Sequence, residues 1–532
     1  MAPSIYFINP AADFPTYFNA ENYAAHQLGR ATQMADLAIP TLAALTPPDF
    51  EVRLCDENMD RVDPDWVPDY VGITGKITQH GRMVALAREF RARGSTVLIG
   101  GPYASLSPEV LAPHCDILVR GEIEEIAPRL FDDLRRRSFE AEYQGTRPDL
   151  STSPLPRWDL YNNARAVMGT LQTSRGCPFE CEFCDVIQYA GRKQRHKGVA
   201  QVLRELDELY RHGYRSVFLA DDNFTIYRSR AKELLEGLRD WNMKCQSGKV
   251  SFLTQISIDA ARDAELLTMC SEAGLTSVFI GLETPNEESL RESKKRQNLR
   301  INLVDQIHKV LAHGICIIGG MIVGFDADGP DIFRRQFEFA MASKIPIFSV
   351  GALVAPAATP LHARIKSEGR LKEGGSEVAA VPWTTNIVHR NMTEEQLLGG
   401  LRWLANKLYS PEFFGARLLS FIEVFGARRD PKRHEPVRPG LGRSVDCDTL
   451  EVLFKVRELG RAEEQMWNQV MAATKAKPDA TPFALNALIQ YMQIRYMYDQ
   501  GHFWEPRLAA NSAPEPVAAP LVSLRTVAAP SN

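Results

Sequence analysis

The chain has 532 residues, too many for one hydrophobic core, and this length predicts about two to four domains. With 45% hydrophobic and 24% charged residues, its composition is that of an ordinary soluble globular protein. The net charge of −4 gives no reason to expect nucleic acid as a partner, and we predict none.

The chain begins with a short apolar segment, 5–8, that no basic region precedes, so we expect no signal peptide. The longest apolar run, 315–325, is broken by glycines and is too short to cross a bilayer. We therefore expect no transmembrane segment. Nine cysteines, most of them scattered, suit a reducing compartment, and the predicted location is the cytoplasm.

Residues 1–145 alternate strand and helix patterns. The predicted strands cover 5–8, 52–54, 70–75, 96–101 and 116–119, and a predicted helix covers 83–93. Apolar strands that alternate with amphipathic helices indicate a parallel, doubly wound, Rossmann-like α/β domain. A GxGxxG motif is absent, so a dinucleotide role has little support.

Ligands of such sheets bind beyond the carboxyl ends of the strands. In this chain those ends carry mainly small residues, which would let a bulky ligand approach the backbone. The candidate ligand-binding residues of this domain are Thr74, Gly75, Gly100, Gly101, Gly121 and Glu122.

A Pro-rich linker, 146–167, leads into a second α/β region, 168–360. Its predicted strands cover 168–173, 216–220, 251–258, 277–281, 315–324 and 347–352. Its predicted helices cover 198–211, 228–241, 262–273 and 303–313. The six strand–helix units predict a partial (β/α)6 barrel, in which chemistry gathers at the carboxyl ends of the strands.

Three cysteines follow the first strand of this barrel with the spacing CxxxCxxC: Cys177, Cys181 and Cys184. A zinc site would usually take two cysteines here and a second pair elsewhere. Three thiolates from one loop fit a four-iron four-sulfur (4Fe-4S) cluster that keeps one iron open for another ligand. Three unrelated buried thiols are the alternative, and finding them within eight residues argues against it.

This loop, with the aromatic Phe183 just before its last cysteine, resembles that of the radical S-adenosylmethionine (SAM) enzymes. The resemblance implies that the open iron binds SAM and that an electron from the cluster cleaves SAM to a 5′-deoxyadenosyl radical. It also implies a low-potential electron donor such as a flavodoxin or ferredoxin. By the same resemblance, Phe183 would lie near the adenine of SAM, although plain loop packing explains an aromatic there equally well.

Paired carboxylates, Asp221 and Asp222, follow the next strand. Such a pair could be a general acid and base, a site for a hard cation, or a helix N-cap. The resemblance implies that one of the two binds the ammonium group of SAM, without saying which.

Ser257 and Asp259 end another predicted strand, and Gly281 and Glu283 end the one after it. Two residues that are two apart on a strand point to the same side and can serve one ligand. The resemblance implies that all four contact SAM. Turn or cap roles would be the default interpretation if the cysteine loop were absent.

A basic run, 192–197, follows the cysteine loop. Charge runs are usually solvated surface, and we expect that here. Contact with an anionic substrate or with the electron donor is the alternative.

A Rossmann-like domain before such a barrel resembles the cobalamin-dependent radical SAM enzymes. Many cobalamin domains supply an axial histidine from an Asp-x-His-x-x-Gly motif, and no Asp-x-His occurs in this chain. Asp56-Glu57-Asn58 lies about where that motif would be expected, and His80 is more simply read as a surface residue of the next helix. We expect cobalamin bound without an axial histidine; loss of the cofactor is the alternative.

The region 361–508 is predicted to be helical, with helices at 393–408, 411–425, 449–473 and 483–499. A capping box begins the first of them at Thr393. A basic, Pro-rich loop covers 428–443, and the tail 509–532 is predicted to be disordered. This domain order resembles a bacterial subgroup that includes the hopanoid C-methylases.

The resemblance as a whole implies methylation of an unactivated carbon of a lipid or other natural product. The 5′-deoxyadenosyl radical would remove a substrate hydrogen, and the substrate radical would take a methyl group from methylcobalamin. No catalytic side chain is predicted. The alternatives are another radical reaction with an empty first domain, a cluster-containing redox or sensor protein, and a zinc-stabilised scaffold.

Overall fold

The computed structural model describes residues 2–374, 381–429 and 443–510. Two parallel sheets with flanking helices are followed by a helical region, so the predicted α/β class is confirmed. Nearly all of the predicted tail 509–532, and most of the predicted loop 428–443, lies outside the described residues. None of the helices in the described ranges combines the length and the apolar composition that a membrane-spanning segment needs.

The first sheet has six parallel strands in the order β3-β1-β4-β5-β6-β7. These strands are β1 (Ser4–Asn9), β3 (Glu51–Asp56), β4 (Tyr70–Thr74), β5 (Thr96–Gly100), β6 (Ile117–Arg120) and β7 (Glu142–Gln144). This order reverses direction between β1 and β4, which opens a crevice at their carboxyl ends. Its two faces pack on different hydrophobic clusters, so that Phe7 of β1 faces one cluster and Tyr6 the other.

The second sheet has seven parallel strands in the order β15-β14-β13-β12-β11-β8-β2 and curls into a half-barrel. These strands are β2 (Thr32–Met34), β8 (Ala166–Leu171), β11 (Ser216–Leu219), β12 (Ser251–Gln255), β13 (Leu275–Glu283), β14 (Cys316–Val323) and β15 (Ile347–Ala352). All six strands predicted for this region form. The seventh, β2, was not predicted, because three residues are too few to show a strand period.

Strand β2 comes from the part of the chain that the sequence analysis assigned to the N-terminal domain. Thr32 pairs with Ala166 and Met34 pairs with Met168, so β2 extends the barrel sheet at its β8 edge. The segment then returns to the first sheet through a helix, Ala38–Leu45. Residues 32–45 therefore tie the two sheets together.

A two-stranded antiparallel ribbon frames the cysteine loop. It consists of β9 (Ser174–Arg175) and β10 (Arg195–His196), with Arg195 directly opposite Arg175.

Helices cover the sheets and form the C-terminal region. In the first part of the chain they are α1 (Glu21–Ala25), α2 (Ala38–Leu45), α3 (His80–Ala92), α4 (Pro102–Leu106), α5 (Pro108–Leu111) and α6 (Ala127–Arg136). Around the barrel they are α7 (Val186–Tyr189), α8 (Val199–Arg211), α9 (Arg228–Lys244), α10 (Ala264–Ala273), α11 (Glu287–Glu292), α12 (Leu303–Ala312), α13 (Ile332–Ser343) and α14 (Pro360–Ser367). The C-terminal ones are α15 (Glu394–Tyr409), α16 (Pro411–Val424), α17 (Ser444–Lys455), α18 (Arg461–Ala476), α19 (Thr481–Gln500) and α20 (Pro506–Ala510).

The single helix predicted over 449–473 is wrong in one respect, because the chain breaks there into α17 and α18. A short 3-10 turn, Val456–Glu458, ends the first helix, and Gly460 in an extended conformation separates the two. Glycine is a poor helix residue, which places the break at this position. The capping box predicted at Thr393 is present, with Thr393 Oγ1 accepting from Gln396 N at 3.2 Å.

Candidate active site

A cavity of about 660 Å³ lies between the carboxyl ends of the first sheet and the barrel. All six residues predicted to bind a ligand in the first domain line it: Thr74, Gly75, Gly100, Gly101, Gly121 and Glu122. On the barrel side the lining includes Thr170, Gln172, Arg175, Phe218, Asp222 and Gln255. The first domain and the barrel therefore share one cavity.

Two of the predicted glycines are required by the backbone itself. Gly101 has φ +93°, and a Cβ there would lie 2.7 Å from Thr74 Oγ1. Gly121 has φ +73°, and a Cβ there would lie 2.9 Å from the carbonyl oxygen of Gly145. A side chain at either position would strain the loop as well as reduce the room at the cavity wall.

The cavity extends inward along one face of the first sheet, where its lining is apolar. Phe7, Leu98 and Val119 lie on the strands there, and Leu130 and Phe131 face them from helix α6. Among the described residues, no histidine belongs to the lining. His80 starts helix α3, half-buried, with its Nδ1 3.4 Å from the Tyr103 hydroxyl.

The three predicted cluster ligands lie in one loop but outside the lining of this cavity. Cys181 is buried, and Cys177 and Cys184 are partly buried. Burial raises the pKa of Cys177 to about 11 and that of Cys184 to about 12. Such thiols are protonated at neutral pH, and bound iron would supply the positive charge that ionises them.

The loop thus offers the donor set that a 4Fe-4S cluster takes, three thiols with one side of the cluster left open. Among the described residues, no three Cys, His, Asp or Glu side chains converge on a single point as ligands of one metal ion do. The thiolates of a cluster bind separate irons, so the loop does not need that convergence to hold one.

Asp221 anchors the start of the loop rather than facing the cavity. Its carboxylate is 1% exposed and accepts from the backbone nitrogens of Thr173 and Ser174, at 2.7 and 3.0 Å. The hydroxyls of the same two residues also donate to it. These four donors use the acceptor capacity of the carboxylate.

Asp222 is the member of the pair that lines the cavity. Its Oδ2 accepts from Gly176 N, at 2.7 Å, immediately before the first cysteine. Burial raises the pKa of Asp222 to about 6. The two adjacent carboxylates, which the sequence could not distinguish, therefore have different surroundings.

Glu283 is paired with a residue that the sequence analysis missed, Lys295. The Lys295 ammonium lies 2.7 Å from Glu283 Oε1 and 5.8 Å from the ring centre of Phe183. Burial disfavours its charge, yet Glu283 and two cysteines of the loop raise its pKa above the ordinary value. Gln297, also missed, donates from Nε2 to Cys181 Sγ at 3.5 Å.

Phe183 and Gly281 belong to the same group. Phe183 packs edge-on against Phe325 at 6.2 Å. A Cβ at Gly281 would lie 2.9 Å from Lys295 Nζ and would overlap the Glu283 carboxylate. No sequence period links Lys295 to Glu283, because only the fold brings them together.

The predicted shared face of Ser257 and Asp259 is wrong. Strand β12 ends at Gln255, and Ile258–Arg262 is a 3-10 helix, so strand alternation does not apply. Ser257 Oγ accepts from Asn223 Nδ2 at 2.5 Å, next to Asp222. Asp259 instead pairs with Arg228 at 2.7 Å and is about one-third exposed.

The basic run 192–197 is mostly not solvated, contrary to expectation. Arg195 and Lys197 are largely buried and are paired with Glu122 and Glu205. Arg192 and Lys193 are the exposed members, and Arg192 lies 2.6 Å from Glu180. Counting the charged residues along a segment does not reveal ion pairs with carboxylates outside that segment.

Two family models match the chain. The radical SAM superfamily model matches residues 171–335, and a domain of unknown function, DUF4070, matches 359–501.

Two curated relatives have sequences similar to most of the chain. An uncharacterized methyltransferase of Synechocystis sp. is 38% identical over 364 residues, which is 67% of this chain and 68% of that protein. The hopanoid C-2 methylase of Rhodopseudomonas palustris is 30% identical over 371 residues, 67% of this chain and 70% of that protein.

Two solved structures share the fold. OxsB, a cobalamin-dependent SAM radical enzyme with aqua-cobalamin and SAM bound, has a TM-score of 0.59 at 15% identity and covers 94% of this chain and 80% of its own. The radical SAM methyltransferase TsrM of Kitasatospora setae, with cobalamin and a 4Fe-4S cluster bound, has a TM-score of 0.56 at 14% identity. That match covers 90% of this chain and all of the TsrM chain.

Proposed function

Because the chain belongs to the radical SAM superfamily, and within it to the methyltransferases related to hopanoid C-2 methylase, we propose a specific reaction. In this proposal the protein is a cobalamin-dependent enzyme that methylates an unactivated carbon of a lipid or other natural product. The family predicted from the cysteine loop is confirmed, and with it the prediction of an enzyme that uses a 4Fe-4S cluster and SAM.

The observation that carries the proposal is the cavity shared by the first domain and the barrel. It joins the strand ends Gly100 and Gly121 to Arg175 and Asp222, which adjoin the cysteine loop. Methyl transfer to a carbon radical requires the hydrogen-abstracting group and the methyl donor to reach the same carbon. One cavity between the two sites permits this.

The residues of the first domain fit cobalamin. The glycines at the strand ends leave room for the flat corrin ring, and the apolar inner end of the cavity suits the benzimidazole of its nucleotide tail. Thr74, Gly75, Gly100, Gly101 and Gly121 would hold the ring. The absence of histidine from the described lining agrees with binding without an axial imidazole.

The barrel residues would hold the cluster and SAM. Cys177, Cys181 and Cys184 are the proposed cluster ligands. When bound, the cluster and SAM would supply a 5′-deoxyadenosyl radical, and cobalamin a methyl group. The chain itself positions these groups and excludes water from the cavity.

Six side chains or backbone positions are proposed around SAM, with Asp222 rather than Asp221 at the ammonium group. Among the described residues, Asp222 accepts a hydrogen bond with one oxygen only, from Gly176 N, so its other oxygen can accept from SAM. The other proposed contacts are Phe183, Ser257, Asp259, Gly281 and Glu283.

An apolar substrate is supported by the barrel side of the cavity. Phe18, Met34 and Phe218 line it there. Burial of apolar surface against these side chains would drive the binding of a lipid.

The electron donor is proposed to dock beside the cysteine loop. Lys294 and Arg296 are exposed there, and they flank Lys295 and precede Gln297, which contacts Cys181. An acidic low-potential carrier such as a flavodoxin or ferredoxin complements this positive surface. The proposed location is the cytoplasm, where such carriers act.

The test is anaerobic reconstitution with iron, sulfide and cobalamin. The proposal expects the absorbance of bound cobalamin together with that of the cluster. Mass spectrometry of extracts from a deletion strain, incubated with the enzyme and SAM carrying a labelled methyl group, should then show a labelled product. A protein that holds the cluster but not cobalamin would instead support a non-methylating radical reaction.

A further inference from the structure

Two glutamates of the first domain hold the arginine that precedes the cysteine loop. Glu122 Oε2 and Glu124 Oε1 each lie 2.6 Å from Arg175 Nη1. The three side chains are 11%, 4% and 18% exposed, respectively, and all three line the shared cavity. We infer that Arg175 is a positioning residue that fixes the cysteine loop, and so the cluster site, relative to the cobalamin site.

A second arginine completes this contact at the other end of the loop. Arg195 stands directly opposite Arg175 in the β9–β10 ribbon, and the cysteines lie in the segment between them. Like charges in that arrangement repel each other. Glu122 lies against both, with its Oε2 2.9 Å from Arg195 Nη1, and so bridges the two ends of the cysteine loop to the first domain.

Both sides of the contact rest on firmly held backbone. Gly121 N donates to Ser105 Oγ at 2.9 Å, and a Cβ at Gly145 would overlap the backbone of Glu122. On the barrel side, the backbone of Arg175 pairs with that of Arg195 in the β9–β10 ribbon, and Arg175 Nε donates to Gln172 Oε1 at 2.7 Å. An ion pair between two rigid backbone segments fixes the distance between those segments, whereas an ion pair between flexible loops only adds attraction.

The inference rests on the proposed function, because only that function requires two cofactors at a set separation. A displacement of about 1 Å between reacting groups can cost about a hundredfold in rate. A buried, two-point ionic contact between the two cofactor-binding regions is the kind of device that prevents such a displacement.

The test uses charge-removing changes and a matched control. Glu124→Gln removes a charge while keeping the shape, Arg175→Gln removes the charge and shortens the side chain, and Arg175→Lys keeps the charge but not the forked geometry. Glu205→Gln is the control, because Glu205 pairs with Lys197 at 2.7 Å with only 3% and 4% exposure. That pair is as deeply buried, but both of its members belong to the barrel region.

The measurement needs no substrate. Each holoenzyme, reconstituted with cluster and cobalamin and reduced with dithionite, is examined by pulsed EPR for the magnetic coupling between the reduced cluster and cob(II)alamin. Wild type and Glu205→Gln should show one sharply defined coupling. Glu124→Gln and Arg175→Gln should lose it, and Arg175→Lys should recover it in part.

Three results would overturn the inference. One is an unchanged sharp coupling in Glu124→Gln and Arg175→Gln; another is an equal loss in Glu205→Gln. A third is failure of a folded Glu124→Gln protein, with the wild-type melting temperature, to bind cobalamin, which would make Glu124 a cofactor-binding residue. Wild-type protein that binds no cobalamin would contradict the proposed function instead.

Discussion

Asp221 and Asp222 are neighbours in the chain but serve different partners. Asp221 is saturated by donors from the strand that leads into the cysteine loop, whereas Asp222 lines the cavity with one oxygen available. Which of the two carboxylates can bind a ligand therefore depends on the direction in which each side chain faces. For Asp222 this predicts an affinity for SAM that depends on pH.

The pKa of Asp222 is raised by burial from its ordinary value to about 6, so the group is ionised above that pH and neutral below it. If it binds the ammonium group of SAM, affinity for SAM should weaken as the pH falls below about 6. Asp222→Asn should bind SAM about tenfold more weakly at pH near 8, with a flat profile. Titration of SAM into cluster-reconstituted protein measures this.

Asp240→Asn is the control, since Asp240 is 59% exposed and pairs with its neighbour Arg239. It should reproduce the wild-type profile. A bend near pH 6 that persists in Asp222→Asn would show that another group binds the ammonium.

The loops that leave the first sheet form the cavity wall. Gly101 follows β5 with φ +93°, and a Cβ there would lie only 2.7 Å from Thr74 Oγ1. Gly94 has the same φ of +93°, at the end of α3, with nothing within 4 Å of its Cβ position. Alanine at Gly94 would therefore introduce backbone strain alone, whereas alanine at Gly101 would also crowd the cavity wall.

Gly101→Ala should abolish or strongly weaken cobalamin binding, because the new methyl group displaces Thr74 at the wall. Gly94→Ala should lower the free energy of unfolding by about 1 kcal/mol through backbone strain alone and leave cobalamin binding intact. Cobalamin titration followed by absorbance distinguishes them. Equal cobalamin affinity in the two variants would place the cofactor elsewhere.

Helix α16 is fastened to the barrel by a buried arginine without a carboxylate partner among the described residues. Arg417 is fully buried and donates to the carbonyls of Ile345, Pro346 and Leu408, at 2.9, 3.1 and 3.1 Å. Burial lowers its pKa to about 10, so it remains charged at neutral pH.

Arg417→Leu should lower the free energy of unfolding by about 3 kcal/mol, because three buried carbonyls lose their donor. Urea unfolding of the two proteins gives the difference. Arg457→Leu is the control, because the Arg457 side chain is 49% exposed. It should change the free energy of unfolding by less than about 0.5 kcal/mol. If Arg417→Leu lowered the free energy of unfolding by less than Arg457→Leu does, water would be replacing the guanidinium as hydrogen-bond donor without cost.

The elements that sequence could predict are those with their own periodic signal. All six barrel strands and the CxxxCxxC loop carry such a signal within the segment itself. Strand β2, at Thr32–Met34, has only three residues, and Lys295 meets Glu283 only through the fold. Sequence therefore predicted the architecture and the cysteine trio, but not which side of each strand end its polar residues face.

Charged side chains lie on two sides of the cysteine loop. Toward the first domain, Arg175 is neutralised by Glu122 and Glu124. Toward solvent, Lys294 and Arg296 are exposed and form no ion pair among the described residues. The inner charges hold domains together, and the outer ones are available to a partner.

Lys294→Glu with Arg296→Glu should slow reduction by an acidic donor such as flavodoxin about tenfold at low salt, and less as salt screens the surface. Reduction by dithionite, a small ion that needs no docking surface, should be nearly unchanged. Lys244→Glu, exposed at the far end of α9, is the control and should behave as wild type. Equal slowing with both reductants would mean that the variant perturbs the cluster rather than docking.

The proposed reaction depends on a cluster that Cys177, Cys181 and Cys184 hold and that cleaves SAM. The most direct measurement is formation of 5′-deoxyadenosine from SAM by anaerobically reconstituted, dithionite-reduced protein. Wild type should form it, each Cys→Ala variant of the three should not, and Cys270→Ala, at a buried thiol elsewhere in the barrel, should retain it. Production of 5′-deoxyadenosine by any variant of the trio would mean that these three cysteines do not hold the cluster.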